Sequence, residues 1–256
     1  GFAGTALFQD GASIFYNAGS IAFAEKNSIN IGVTPIFANV LYVDSATGNA
    51  YRTENPVGTP FCAYGLFRLK KLENFRFGLA IYTPFGSTVQ WEENWIGRFA
   101  ITRLKLQAIY FQPTFAYRLT DKIGIGAGFI LSKGNVNLQK DIPVQDSLGN
   151  FSHAELSGKA IGFGYNLGLN FKLNAEFSIG LSYRSKIQMK VKQGDAVFSV
   201  PASLNNNFPD GDFSGALPLP DVATIGFAYK VKEKWLFVLD INHVGWKTYD
   251  TLAFDY

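Results

Sequence analysis

The sequence predicts an all-β protein, specifically an antiparallel transmembrane β-barrel entered by a non-strand plug. Three observations predict it. Long segments alternate apolar residues with small or polar ones, the period of a strand with two different faces. The connections between these segments alternate short and long. And no apolar run approaches the roughly 18 residues of a membrane-crossing helix: the best, Ile123 to Leu131, is interrupted by three glycines. A membrane location therefore requires a closed barrel, which alone satisfies strand backbone groups in lipid. The bulk composition agrees. Charged residues are 17%, below the roughly 25% of a soluble domain, while aromatics reach 16%, with 24 Phe, 12 Tyr and 26 Gly. At 256 residues the chain suits one large all-β domain or two small ones. A net charge of +3, without a basic block interleaved with aromatics, gives no argument for nucleic acid. The single Cys62 excludes an internal disulfide and a cysteine-cluster metal site.

Taken in order, the chain starts with Asp10 to Phe23, apolar and rich in small residues, with neither a helical stripe nor a sustained alternation. This predicts a compact plug over residues 1–28, ahead of a barrel over 29–256. Strands are expected at about 29–42, 57–69, 75–84, 104–119, 122–139, 155–172, 176–192, 222–231 and 235–249. The turns at 70–74, 120–121, 173–175 and 232–234 are short and charged or polar. Those at 44–56, 86–103, 141–154 and 194–221 are long. A soluble sandwich has no reason to segregate its loops by length, whereas outer-membrane barrels pair short periplasmic turns with long extracellular loops.

The strand faces carry the same message. In the sixth, Ile161, Phe163, Tyr165, Leu167, Leu169 and Phe171 oppose Ala160, Gly162, Gly164, Asn166, Gly168 and Asn170. In the fifth, Ile123, Ile125, Ala127, Phe129 and Leu131 oppose Gly124, Gly126 and Gly128. In the seventh, Tyr183, Ile187, Met189 and Val191 are expected to share one face, opposite Arg184, Lys186, Lys190 and Lys192. Periodicity alone does not say which face is inside. Strand length, glycine content and loop asymmetry favour apolar outward and small or polar inward.

Chemistry-bearing motifs are sparse. The two histidines, His153 and His243, have no metal-ligand spacing, and no nucleophile elbow occurs. No enzyme activity, cofactor or metal is expected. The basic face has two readings: a solvated rim against anionic lipid headgroups, or inward cations that pair with a carboxylate. Candidates for the second are Lys133, Lys140, Arg184 and Lys186. The stretch 194–221 is apolar for a loop, with Phe198, Phe208 and Phe213 among its residues, so it binds either a ligand or a partner protein. In the third strand, Thr83-Pro84-Phe85-Gly86 should interrupt the ladder, because proline cannot donate and glycine weakens a strand.

Several collinear stretches carry a family resemblance: "DGASIFYNAGSIAF" at Asp10–Phe23, "YTPFG" at Tyr82–Gly86, "WIGRF" at Trp95–Phe99, "PTFAYRLTDKIGIGAGF" at Pro113–Phe129, "SYRSKI" at Ser182–Ile187 and the segment Leu219–Leu252. The chain resembles the FadL/TodX family of outer-membrane transporters for fatty acids and other hydrophobic compounds. It departs from the family at Asn17-Ala18-Gly19, where a proline usually occupies the middle position. The resemblance implies a fourteen-stranded barrel around an N-terminal hatch. Nine strands, an odd number, then imply that the last strands are missing from this sequence. The family's usual residues ahead of the point where Gly1 begins imply that the start of the hatch is missing too. The sequence shows no signal peptide, which was either cleaved or left out of a mature fragment. The resemblance also implies that Asp10, Asn17, Ala18 and Gly19 belong to the hatch, and that Asn17 hydrogen-bonds the third-strand kink. On residue chemistry alone Asn17 is equally a turn residue. The kink at Thr83, Pro84, Phe85 and Gly86 would be a lateral opening to the outer leaflet. The expected partners are a fatty acid or hydrocarbon and outer-membrane lipid. The rival is a barrel of this fold that docks a partner protein through 194–221.

Overall fold

A computed structural model describes residues 3–69, 71–232, 234–248 and 254–255. The expected turn residues Lys70 and Glu233, and the end of the ninth expected strand at 249, lie outside the described residues. The strands are β1 (Ser28–Val33), β2 (Leu41–Val43), β3 (Ala50–Arg52), β4 (Phe61–Arg68), β5 (Phe75–Gln90), β6 (Arg103–Arg118), β7 (Ile123–Gln145), β8 (Phe151–Lys172), β9 (Phe177–Arg184), β10 (Ile187–Ser199), β11 (Gly211–Leu219), β12 (Val222–Val231), β13 (Trp235–Val244) and β14 (Phe254–Asp255). All except β2 and β3 join one twelve-stranded sheet, antiparallel throughout. Three tandem pairs share a position in it. β9 and β10 both lie beside β8, β12 and β11 continue beside them, and β13 and β14 follow. Among the described residues the meander therefore has nine positions in chain order. β2 and β3 form a separate hairpin in the connection after β1.

The two faces differ as in a membrane wall. Phe115, Phe129, Phe163 and Leu167 stand 48–61% exposed on the outer face. On the inner face Gln112, Thr114, Ser132, Asn166 and Asn170 are at most 1% exposed. Apolar outward and polar inward suits lipid, and Gln112, Thr114 and Asn166 find hydrogen-bond partners inside.

Several sequence expectations are corrected. The first strand is only Ser28–Val33. The stretches expected as loops at 141–154 and 194–221 are largely strand: β7 and β8 are joined by residues 146–150, and β10 and β11 by 200–210. Their alternating apolar residues pair across the sheet and turn inward, with Ile142, Ala154, Ala196, Phe213 and Leu219 buried. The 146–150 turn is tied by Asp146, whose Oδ1 accepts the Leu148 and Asn150 N–H groups at 2.8 and 2.9 Å, with Gly149 at φ +87°. Those bonds, the Asn150 side chain first, hold its carboxyl below the usual carboxylate range. The third strand runs further than expected, since β5 continues to Gln90, but its ladder is broken at Thr83-Pro84: pairing with β4 ends at Tyr82, and pairing with β6 shifts by one residue between Tyr82 and Phe85.

The expected seventh strand breaks at Ser185-Lys186. Arg184 pairs Asn166, but Lys190 pairs Ile161, one residue out of step. A one-residue slip moves every later side chain to the other face. Ile187, Met189 and Val191 therefore turn inward and are buried, while Lys186, Lys190 and Lys192 are exposed on the outer face.

Candidate functional site

The N-terminal segment lies against the inner face. Asp10 starts its single helical turn, α1 (Ser13–Tyr16): its Oδ1 accepts the Ala12 N–H at 2.8 Å and its carbonyl accepts from Ser13. Asn30 on β1 anchors this turn, accepting from the Gly11 N–H at 3.0 Å and donating to Asp10 Oδ2. A 3-10 turn, Ser20–Phe23, follows. The small-residue face of the sheet makes the approach possible. A Cβ at Gly124 would sit 2.5 Å from the Gly19 carbonyl oxygen, and one at Gly126 would collide with the Ala18 backbone.

Asn17 is fully buried between segment and sheet. Its Nδ2 donates to the Thr5 carbonyl at 2.7 Å and the Leu169 carbonyl at 2.9 Å, and its Oδ1 accepts from the Gly19 N–H at 2.8 Å. Leu169 lies on β8. The expected bond from Asn17 to the third-strand kink is therefore corrected: its donors are taken up by β8 and by its own segment. Ala18 and Gly19 sit beside it against Gly126 and Gly168.

Five further polar side chains hold the segment, and residue-type reasoning did not single out four of them. Gln112 and Asn166 donate to the Ile14 carbonyl at 3.2 and 3.5 Å. Arg76 donates to the Ala24 carbonyl at 2.6 Å. Asp240 Oδ2 accepts from the Gly4 and Thr5 N–H groups and the Thr5 hydroxyl. Arg184, the fifth, points inward as expected, but toward the segment: Nη2 donates to the Phe15 carbonyl at 2.7 Å and its guanidinium lies 4.2 Å from the Phe15 ring centre. The signal available in the sequence was a large amide in the same register as small and hydroxyl residues along a strand, as with Gln112 between Tyr110 and Thr114.

Beyond the segment the inner face becomes apolar. Phe85, Leu106, Val136, Met189, Val191 and Leu217 surround a cavity of about 40 Å³. Past it, at the long-loop end, a larger cavity of about 610 Å³ is lined by Phe99, Leu138, Ile142, Leu156, Phe198 and Phe208, with Lys140 supplying a cation. The Phe198 and Phe208 rings are 6.0 Å apart. Lys140, Phe198 and Phe208 are thus brought together. Phe213 is not with them; it packs in the inner core beside Gly158 and Gly194. Lys133 and Lys186 are also corrected: both are exposed on the outer face, away from the cavity. For Lys133 the cause is parity, since its neighbours Ser132 and Gly134 take the inward positions.

At the β5 bulge the wall loses hydrogen bonds. β4 and β5 pair as far as Cys62 and Tyr82. The next ties are at Gln90, which bonds Glu54 and Asn55. Among the described residues no hydrogen bond joins 56–60 to 83–89, and the Phe61 N–H reaches only the Thr83 hydroxyl at 3.4 Å. Pro56, Pro60 and Pro84, which lack N–H groups, flank this gap. Pro84 and Gly86 are exposed, and Phe85 turns inward against the apolar core.

An antiparallel meander with an apolar outer face, a polar inner face and an N-terminal segment packed against that inner face is the construction of an outer-membrane barrel transport protein. Residues 1–255 match the family model described as outer membrane protein transport protein (OMPP1/FadL/TodX), and the chain belongs to that family, whose members are transporters rather than enzymes. It is 21% identical over 280 residues to a long-chain fatty acid transport protein of Escherichia coli O6:H1, an alignment covering 96% of this chain and 63% of the relative. The chain thus spans under two thirds of that relative's length. Its fold matches the Ralstonia pickettii toluene transporter TbuX with a TM-score of 0.75 at 16% identity, over 96% of this chain and 69% of the other. A Pseudomonas aeruginosa FadL homologue matches with a TM-score of 0.74 at 16% identity, over 98% and 68%.

Proposed function

We propose that the protein passes a hydrophobic small molecule, a fatty acid or a hydrocarbon, through the outer membrane by binding and diffusion, without chemistry. One observation carries the proposal: the inner face is apolar from the Lys140 cavity to the N-terminal segment, and the β5 gap opens beside that path. The larger cavity falls within the roughly 300–1,000 Å³ typical of small-ligand pockets. Lys140 gives a carboxylate a charge-assisted partner at its mouth. The ligand moves inward along Phe85, Leu106 and Met189, and the N-terminal segment, acting as a hatch, blocks its further passage. It leaves sideways between 56–60 and 83–89. The free edges of β1 and β13 are satisfied in lipid by closure of the wall into a barrel. The docking alternative is weaker, because 194–221 spends Phe198, Phe208, Phe213, Leu217 and Leu219 on the inner core and the cavity rather than on an exposed face.

The test is uptake of a labelled fatty acid by cells expressing equal amounts of folded wild type and a Pro84→Val/Gly86→Val variant. The variant should lose uptake as the wall closes. Wild-type uptake with the wall shown closed would overturn the lateral route.

A further inference from the structure

The lysines excluded from the cavity are arranged with the outer face in ascending rows. Phe111, Leu131 and Phe163 form an apolar row across β6, β7 and β8. The next outward row is Ile109, Lys133, Ile161 and Lys190. Above it come Gln107, Asn135 and Lys159, and then Lys105, Asn137 and Ser157. The highest row is Gln90, Arg103, Gln139 and Glu155. The chemistry therefore changes with height from apolar to cationic to polar. Among the described residues none of these lysines is in an ion pair. The carboxylates of this face, Asp141, Glu155, Asp195 and Asp212, lie at or above the Lys105 row, and Glu155 accepts from Asn137 at 2.6 Å.

Above the lysines, residues 91–95, Arg98 and Thr102 border a polar cleft of about 610 Å³ against the outward side chains of β6, β7 and β8, with Glu92, Glu93 and Asp141 among its lining. Trp91 and Trp95 stack there at 4.2 Å, opposite Gln90, Arg103, Gln139 and His153. Two buried polar atoms among the cleft residues, Thr102 Oγ1 and Arg103 Nε, have no hydrogen-bond partner. Stacked indoles beside amides, arginines and carboxylates suit a polyhydroxylated ring, which offers an apolar C–H face and a hydroxyl edge.

We propose that this outer face binds a phosphorylated glycolipid of the outer leaflet. The acyl chains lie on the apolar row, the phosphates on Lys133, Lys159, Lys190 and Lys105, and the sugar in the Trp91–Trp95 cleft. The height order decides the occupant, since a soluble phosphate has no use for an apolar row below, nor a plain phospholipid for the cleft above.

The whole protein in phosphatidylcholine nanodiscs would be titrated with diphosphoryl lipid A, its dephosphorylated form and phosphatidic acid, with bound lipid read by native mass spectrometry. A lysine near an anionic surface contributes about fivefold in affinity. A Lys133→Gln/Lys159→Gln/Lys190→Gln variant should therefore lose about a hundredfold for diphosphoryl lipid A, while the triple Arg variant keeps wild-type binding. Trp91→Ala with Arg103→Gln should weaken lipid A but leave phosphatidic acid unchanged. If wild type binds phosphorylated and dephosphorylated lipid A equally, the proposal fails whether or not the glutamine variant folds. Wild-type binding by the folded glutamine variant also overturns it, and equal losses for lipid A and phosphatidic acid in the cleft variant overturn the sugar site.

Discussion

Asn17→Ala tests how the N-terminal segment is held. The substitution removes three hydrogen bonds, to Thr5, Leu169 and Gly19, from a fully buried position. At a net 0.5–1.5 kcal/mol each, the loss is about 1.5–4.5 kcal/mol. It falls on one interface, because the strand ladders do not depend on Asn17. Arg76, Gln112, Asn166, Arg184 and Asp240 still hold the segment elsewhere. The barrel should therefore keep its folded, heat-modifiable migration on gels. The open population of residues 3–24 should rise by roughly ten- to a thousandfold, since about 1.4 kcal/mol is a factor of ten. Hydrogen exchange with mass spectrometry reads this directly, as faster exchange in peptides covering 3–24 and unchanged exchange in β6 to β8. Asn17→Asp keeps the size but loses both donors and sets a carboxylate against two carbonyls, so it should open the segment at least as far. Unchanged protection in the alanine variant would refute the reasoning; loss of protection across β8 as well would show that Asn17 supports the wall rather than the segment.

Two other outcomes follow from the faces and the cavity. Phe163→Lys puts a charge on the lipid side and should cost about 2–4 kcal/mol near the midplane, blocking assembly as read by gel migration, whereas Phe163→Leu should assemble normally. Normal assembly of the lysine variant would place Phe163 away from lipid. Lys140→Met should weaken binding of a fatty acid by about 1.5–3 kcal/mol, the contribution of a hydrogen bond to a charged group, and leave a hydrocarbon of equal length unaffected. Lys133→Met should change neither, and equal loss of both ligands in the Lys140 variant would point to damaged packing in the cavity.

The amino-acid sequence by itself determined the all-β class, the nine wall positions and the two-faced character of β7 and β8, with strand length, glycine content and loop asymmetry pointing the apolar face to lipid. These are local properties, because period two is written into any strand whose faces meet different media. Tertiary structure decided the rest where a single residue changed the count. The irregularity at Ser185-Lys186 sends Ile187, Met189 and Val191 inward and Lys186 outward. The strand pattern on either side is intact, so nothing local marks the slip; it is fixed by which β8 residues Lys190 and Arg184 pair with. The same holds for 141–154 and for 194–221, apolar for a loop, whose strands exist because a neighbour offers a ladder and the inner core takes up their apolar side chains. Asn17 shows the limit most directly. Its burial follows from the crowd of small residues around it, but its partner on β8 depends on how the segment lies across Gly126 and Gly168, a contact between residues more than a hundred positions apart.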